Sequence, residues 1–98
     1  MPERKKWALI QLLGERYILE VLDALLESPK RFVDLADACP NEKTRTAKLR
    51  SLEEAGLIET VSSRIGKRFF VQYKLNEKGN QMLQELMRMD GRYSLHDK

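Results

Sequence analysis

The 98-residue sequence predicts a mainly helical α+β fold: a three-helix core, a two-stranded β-hairpin wing, and an additional helix at each end. Three observations carry that prediction. Apolar residues recur at helical spacing in the first half of the chain. Residues that break helices or make turns, Gly14, Ser28-Pro29, Cys39-Pro40-Asn41 and Gly56, cut that half into pieces. Beyond Ile58 the apolar period becomes two, around a basic segment that contains Gly66.

The elements follow in order. Residues 1–13 form a helical extension whose stretch from Trp7 to Leu13 is apolar except for Gln11, so it needs cover on more than one side. After Gly14, Tyr17, Ile18, Val21, Leu22 and Leu25 mark one face of a helix that starts near Glu15. Ser28-Pro29 ends it, because the residue before a proline avoids the helical region. Residues 30–39 read as a second, shorter helix with Phe32, Leu35 and Ala36 or Ala38 facing in. Pro40 holds Cys39 extended, and Asn41 is a good N-cap for a third helix over residues 41–55. Leu49, Leu52 and Ala55 make its inward stripe, and Gly56 its C-cap.

Phe69, Val71, Tyr73 and Leu75 then alternate with Phe70, Gln72 and Lys74, as in a strand. Its partner lies before Ser63-Arg64-Ile65-Gly66-Lys67-Arg68, the predicted connection. Asn76 caps a last helix over residues 76–90, with Met82, Leu83, Leu86 and Met87 on one side and a stop at Asp90-Gly91. Residues 91–98 read as a polar tail. The whole chain, 1–98, reads as one domain, with core and wing at 14–75.

Charge is unevenly placed. Residues 41–50 carry Lys43, Arg45, Lys48 and Arg50 against Glu42 alone, and residues 61–75 carry Arg64, Lys67, Arg68 and Lys74 with no acid. Residues 14–27 are acidic by contrast. The net charge of +3 and a pI near 9.1 are weak signals of a polyanionic partner by themselves, so the clustering matters more. A basic helix followed by a basic-tipped hairpin is the layout of a winged helix-turn-helix module, and it places positive charge on two elements that can grip one duplex.

A helix fits the major groove, where side chains on its exposed face read base edges. Lys43, Thr46, Ala47 and Arg50 are spaced i, i+3, i+4, i+7 and form such a face. Asn41, Thr44, Arg45 and Lys48 flank it, the last three within reach of phosphates. The wing, residues 62–69, brings Arg64, Lys67 and Arg68 to a flanking minor groove or backbone. Lys30 and Arg31, at the start of the second helix, are further phosphate anchors.

The expected partners are double-stranded DNA and a second copy of the chain. Trp7, Leu9, Ile10 and Leu13 with Met82, Leu83, Leu86 and Met87 are the expected dimer interface, since so small a domain cannot hide them all. Two other readings stay open: a sequence-nonspecific architectural DNA or RNA binder, and a winged helix used for protein–protein contact.

No catalytic residue, metal site or cofactor is expected. No glycine-rich phosphate loop or nucleophile motif occurs, and His96 reads as a solvated tail residue. Cys39 is the only cysteine, which precludes an intramolecular disulfide or a cysteine-rich zinc site; it reads as a small buried residue. No apolar run approaches the roughly 18–20 residues that span a bilayer, so the expected location is cytoplasmic, on the nucleoid. Nothing in the sequence points to a particular small-molecule effector.

Four segments together resemble the HxlR-type branch of the winged-helix transcription regulators: Gly14-Glu15-Arg16-Tyr17-Ile18-Leu19-Glu20-Val21-Leu22; Arg31-Phe32-Val33-Asp34-Leu35; Leu49-Arg50-Ser51-Leu52-Glu53-Glu54-Ala55-Gly56-Leu57-Ile58; and Val71-Gln72-Tyr73-Lys74-Leu75-Asn76-Glu77-Lys78-Gly79. The wider MarR/ArsR-like superfamily shares Leu-Glu-Glu-Ala-Gly-Leu-Ile. The resemblance covers Gly14 to about Met87. It implies a dimeric regulator of a roughly palindromic operator, with outer helices at the dimer interface. It supports a DNA-facing role at Arg31, Lys43, Thr46, Arg50 and Arg68.

Three departures stand out. An apolar residue usually occupies the place of Arg45, so either Thr44 turns inward or the helix is slightly rotated. The cysteine through which many members sense oxidants, before the first core helix, is missing. Asn76 replaces a usual threonine, one cap for another.

Overall fold

A computed structural model describes residues 6–95. Helix α1 (Ala8–Leu13) ends at Gly14, whose N–H turns back to the Ile10 and Gln11 carbonyls. Helix α2 (Ile18–Glu27) begins three residues later than its periodicity suggests. Residues 15–17 form a turn instead, and Tyr17 adopts a left-handed φ of 74°. The α2 stripe is nonetheless as expected: Ile18, Val21, Leu22 and Leu25 are buried. Ser28 is extended ahead of Pro29 and ends the helix.

The predicted second helix over residues 30–39 does not form. Lys30–Arg31 is instead a short strand, β1, followed by a 3₁₀ turn at Val33–Leu35 and further turns to Cys39. Two forces override the helical spacing. Sheet pairing captures Lys30 and Arg31, opposite Tyr73 and Gln72. Locally, the Asp34 carboxylate accepts the Arg31 N–H at 3.3 Å, a side-chain bond that competes with helical hydrogen bonding. Leu35 and Cys39 still reach the core.

Helix α3 (Glu42–Glu54) has both predicted caps. Asn41 Oδ1 accepts from the Thr44 N–H at 2.9 Å. At the far end Gly56 has φ 76°, Leu57 N–H donates to Leu52 O, and Gly56 N–H donates to Glu53 O. This is a Schellman closure, with Leu52 and Leu57 both buried in the core.

Strands β2 (Ile58–Ile65) and β3 (Arg68–Leu75) pair antiparallel from Ile58↔Leu75 to Ile65↔Arg68. The connection is thus Gly66-Lys67 alone, rather than residues 63–68, and Gly66 at φ 63° supplies the positive φ that a two-residue hairpin needs. With β1 the sheet has three strands in the order β1-β3-β2, one more than predicted.

Helix α4 (Glu77–Arg92) runs through Asp90-Gly91 and past the predicted stop. Asn76 begins it as a cap, with Oδ1 accepting from Gly79 N–H at 2.8 Å. Its Nδ2 also donates to Gly56 O at 2.8 Å, so the residue that replaces threonine ties α4 to the end of α3. Gly79 permits this close approach, since a Cβ there would collide with the Leu57 carbonyl oxygen.

The core joins α2, α3, the loop residues Leu35, Cys39 and Leu57, Ile58 of β2, and one residue from each outer helix, Leu13 and Leu83. Burying each leucine or isoleucine is worth roughly 1.5–3 kcal/mol. His96 and the first five residues lie outside the described part.

Candidate nucleic-acid interface

The orientation of α3 follows from its buried side. Arg45, Leu49 and Leu52 are spaced i, i+4, i+7 and are all buried, which turns Lys43, Thr46, Ala47 and Arg50 to solvent. The side chains of Lys43 and Arg50 make no hydrogen bond or ion pair among the described residues. Thr46 Oγ1 donates to Glu42 O at 3.0 Å, a bond within the helix.

Arg45 corrects an expectation. Placed by sequence among the DNA-facing cations, it is only 3% exposed. Its Nε donates to Cys39 O at 2.8 Å, Nη1 to Phe32 O at 3.2 Å and Nη2 to Pro40 O at 2.9 Å. The guanidinium also lies 4.5 Å from the Phe32 ring centroid. Arg45 fills an inward slot of α3 because the preceding turns offer it three carbonyls: Phe32 O, which already accepts from Leu35 N–H at 3.2 Å, and Cys39 O and Pro40 O, which accept from the guanidinium. A guanidinium fork can satisfy all three at once. The latch sets α3 against the segment that takes the place of a second helix.

Two other expected phosphate contacts are also occupied. Lys30 Nζ donates to Ala24 O at 3.0 Å, closing the C-terminal end of α2, and to Ser28 Oγ at 2.9 Å. There is no helix N-terminus beside it to hold an anion. Lys48 Nζ pairs with Glu15 at 3.0 Å and is mostly covered. Arg31 is more open: Asp34 accepts from its Nε at 2.9 Å and its Nη2 at 3.2 Å. The bond to Arg31 holds the Asp34 carboxyl below its usual range and raises the guanidinium in turn.

On the wing, Arg64, Lys67 and Arg68 are all exposed. Arg64 Nε donates to Gly66 O at 2.9 Å, and its guanidinium lies over the Phe69 ring at 5.4 Å. The sequence did not single out the apolar residues among these cations as surface groups, yet Ile65 and Phe69 are each about 70% exposed.

The expected dimer face divides. Leu13 and Leu83 are core residues, each 6% exposed, because they anchor the outer helices on the core built by α2 and α3. Met82 and Leu86 are half-buried against that core. Trp7, Leu9, Ile10 and Met87 remain exposed, and α1 with Ala55 and Lys78 lines an open groove of about 580 Å³.

Four helices, a three-stranded sheet whose β2–β3 hairpin makes the wing, and a cationic α3 face turned to solvent define a winged-helix DNA-binding protein. The chain belongs to the HxlR-like helix-turn-helix family, whose model matches residues 12–96. It is similar to the diamide-treated YodB of B. subtilis, at 26% identity over 95% of this chain and 96% of that one, with a TM-score of 0.73. The reduced form of the transcriptional regulator YodB shares the fold, at 24% identity over the whole of both chains and a TM-score of 0.75. So does a MarR-family regulator from Enterococcus faecalis V583, at 23% identity, 94% and 87% coverage and a TM-score of 0.73. No curated protein matches the sequence. Among the described residues no helix is long and apolar enough to cross a membrane.

Proposed function

We propose that this transcription regulator binds a specific double-stranded DNA site as a homodimer. Helix α3 lies in the major groove, with Lys43, Thr46, Ala47 and Arg50 toward the bases. The wing, residues 62–69, lies on the flanking minor groove or backbone. The observation that carries this reading is the division of the basic residues. Arg45 and Lys48 are spent inside the fold, whereas Lys43 and Arg50 project unpaired from the one helix face shaped for a groove.

The dimer reading rests on Leu9 and Ile10, exposed on a six-residue helix too short to be stable alone, and on the exposed Trp7 just before it. A second copy covering them with Met87 would set the two recognition helices about 34 Å apart, one turn of DNA.

Fluorescence anisotropy of a labelled duplex from the region upstream of the gene, against a scrambled duplex at two salt concentrations, tests DNA recognition. Tight, salt-sensitive binding that favours the upstream duplex is expected. Equal binding to both would favour an architectural role, and no binding even at low salt would leave protein contact as the better reading. Light scattering at tens of micromolar tests the assembly, and a monomer there would overturn the dimer.

A further inference from the structure

The sheet order makes β3 central, and Phe70 sits on it where two cations meet. Arg31 of β1 is in register with Gln72, so Phe70 is its diagonal neighbour, a separation that long side chains can bridge. Arg68 precedes Phe70 by two residues and shares its face of the strand. The Arg31 guanidinium carbon lies 5.6 Å from the Phe70 ring centroid, and that of Arg68 lies 6.0 Å from it. Both fall within the range in which a ring face attracts a cation.

Asp34 fixes Arg31 from the other side through Nε and Nη2, which leaves Nη1 for an outside acceptor. Arg68 has no ion pair among the described residues. A cleft of about 340 Å³ lined by Arg31, Ser63, Ile65, Phe70 and Gln72 opens beside the ring. Phe70 is half-buried and stands outside the hydrophobic core, so holding these groups is its evident packing role.

We infer that Arg31 and Arg68, gathered on Phe70, form a single site for one phosphodiester group of the DNA backbone. It bridges the first strand and the wing, with Phe70 and Asp34 as positioning residues. A phosphodiester offers two non-bridging oxygens, one for each guanidinium, and planar guanidinium groups match that geometry. The inference rests on the DNA-binding reading and deepens it, by making two anchors from distant parts of the sequence act as one.

The test is the salt dependence of duplex binding by the full chain carrying Phe70→Ala, a substitution that removes no charge. Each phosphate neutralised contributes about 0.9 to the slope of log Kobs against log salt. The site predicts that Phe70→Ala lowers the slope by about 1 and weakens binding of upstream and scrambled duplexes alike, roughly tenfold at low salt. Phe70→Tyr, which keeps the ring, should behave as wild type. Phe70→Leu keeps the apolar bulk and should repeat the alanine result if alanine impairs folding.

An unchanged slope in the alanine or leucine variant, with the wild type still binding DNA, would overturn the site and leave the function standing. Failure of the wild type to bind any duplex would remove both. A final arm adds inorganic phosphate against chloride at equal ionic strength. Phosphate offers the pair the same oxygens, so selective displacement that disappears with Phe70→Ala is expected; displacement that persists in Phe70→Ala would place the phosphate contact elsewhere and overturn the site.

Discussion

The basic residues around the motif fall into two populations. In the supporting segment and on the inner side of α3, Lys30, Arg45 and Lys48 are consumed by the fold, on carbonyl oxygens or on Glu15. On the outer face and the wing tip, Lys43, Arg50 and Lys67 meet only solvent. Arg31 stands between, held by Asp34 yet 44% exposed at its side chain. Net charge therefore says little about the binding surface of such a small chain. What distinguishes the populations is whether the fold brings an acceptor, a carbonyl or a carboxylate, within reach of the cation.

The largest expected effect falls on the first population. Arg45→Ala takes the guanidinium from the Cys39 and Pro40 carbonyls, leaves Phe32 O with Leu35 N–H alone, and removes a buried side chain, so it should cost about 3–4 kcal/mol, seen as a lower urea midpoint. A loss below about 1 kcal/mol would mean that water replaces the latch. Next comes Arg50→Ala in the second population. Stability should stay within about 0.5 kcal/mol of wild type. Discrimination between upstream and scrambled duplexes should fall by about 1–3 kcal/mol if Arg50 reads a base. Equal losses on both duplexes would move Arg50 to the phosphate contacts.

A smaller effect concerns pH. Because Arg31 lowers the Asp34 pKa from its ordinary 3.8, the pair stabilises the fold at and above that pH. Its contribution is lost only as the pH falls through the depressed value. The stability difference between wild type and Asp34→Asn, measured by urea unfolding, should hold from pH 7 to about pH 4 and shrink below it. A difference that first shrinks between pH 7 and pH 5 would mean that another group controls it.

Much of this architecture is legible in the sequence where the cause is local. The α2 stripe, the Asn41 and Gly56 caps of α3, and the strand over residues 69–75 depend on near neighbours and form as read, although of the apolar stripe of β3 only Tyr73 and Leu75 pack on the core while Phe69 and Val71 stay exposed. Residues 30–39 were illegible for the opposite reason: their partners, Tyr73 and Gln72, lie some forty residues away, and pairing overrides a ten-residue helical pattern. The missed strand also hid the meeting of Arg31 with Phe70. Arg45 is a different kind of failure. Its spacing to Leu49 and Leu52 already marks the inward face, but its charge argued for the surface, and the acceptors that reverse the argument appear only once the turn at Phe32–Pro40 is folded. Leu13 and Leu83 show the same limit, since composition cannot separate an anchoring leucine from one facing a partner chain.

The most direct test of the two populations compares salt slopes for duplex binding by wild type, Lys67→Ala and Lys48→Ala. The account predicts a slope about 0.9 shallower for Lys67→Ala and an unchanged slope for Lys48→Ala, whose pair with the half-exposed Glu15 should cost under about 1 kcal/mol of stability. A shallower slope for Lys48→Ala, with Lys67→Ala like wild type, would contradict it.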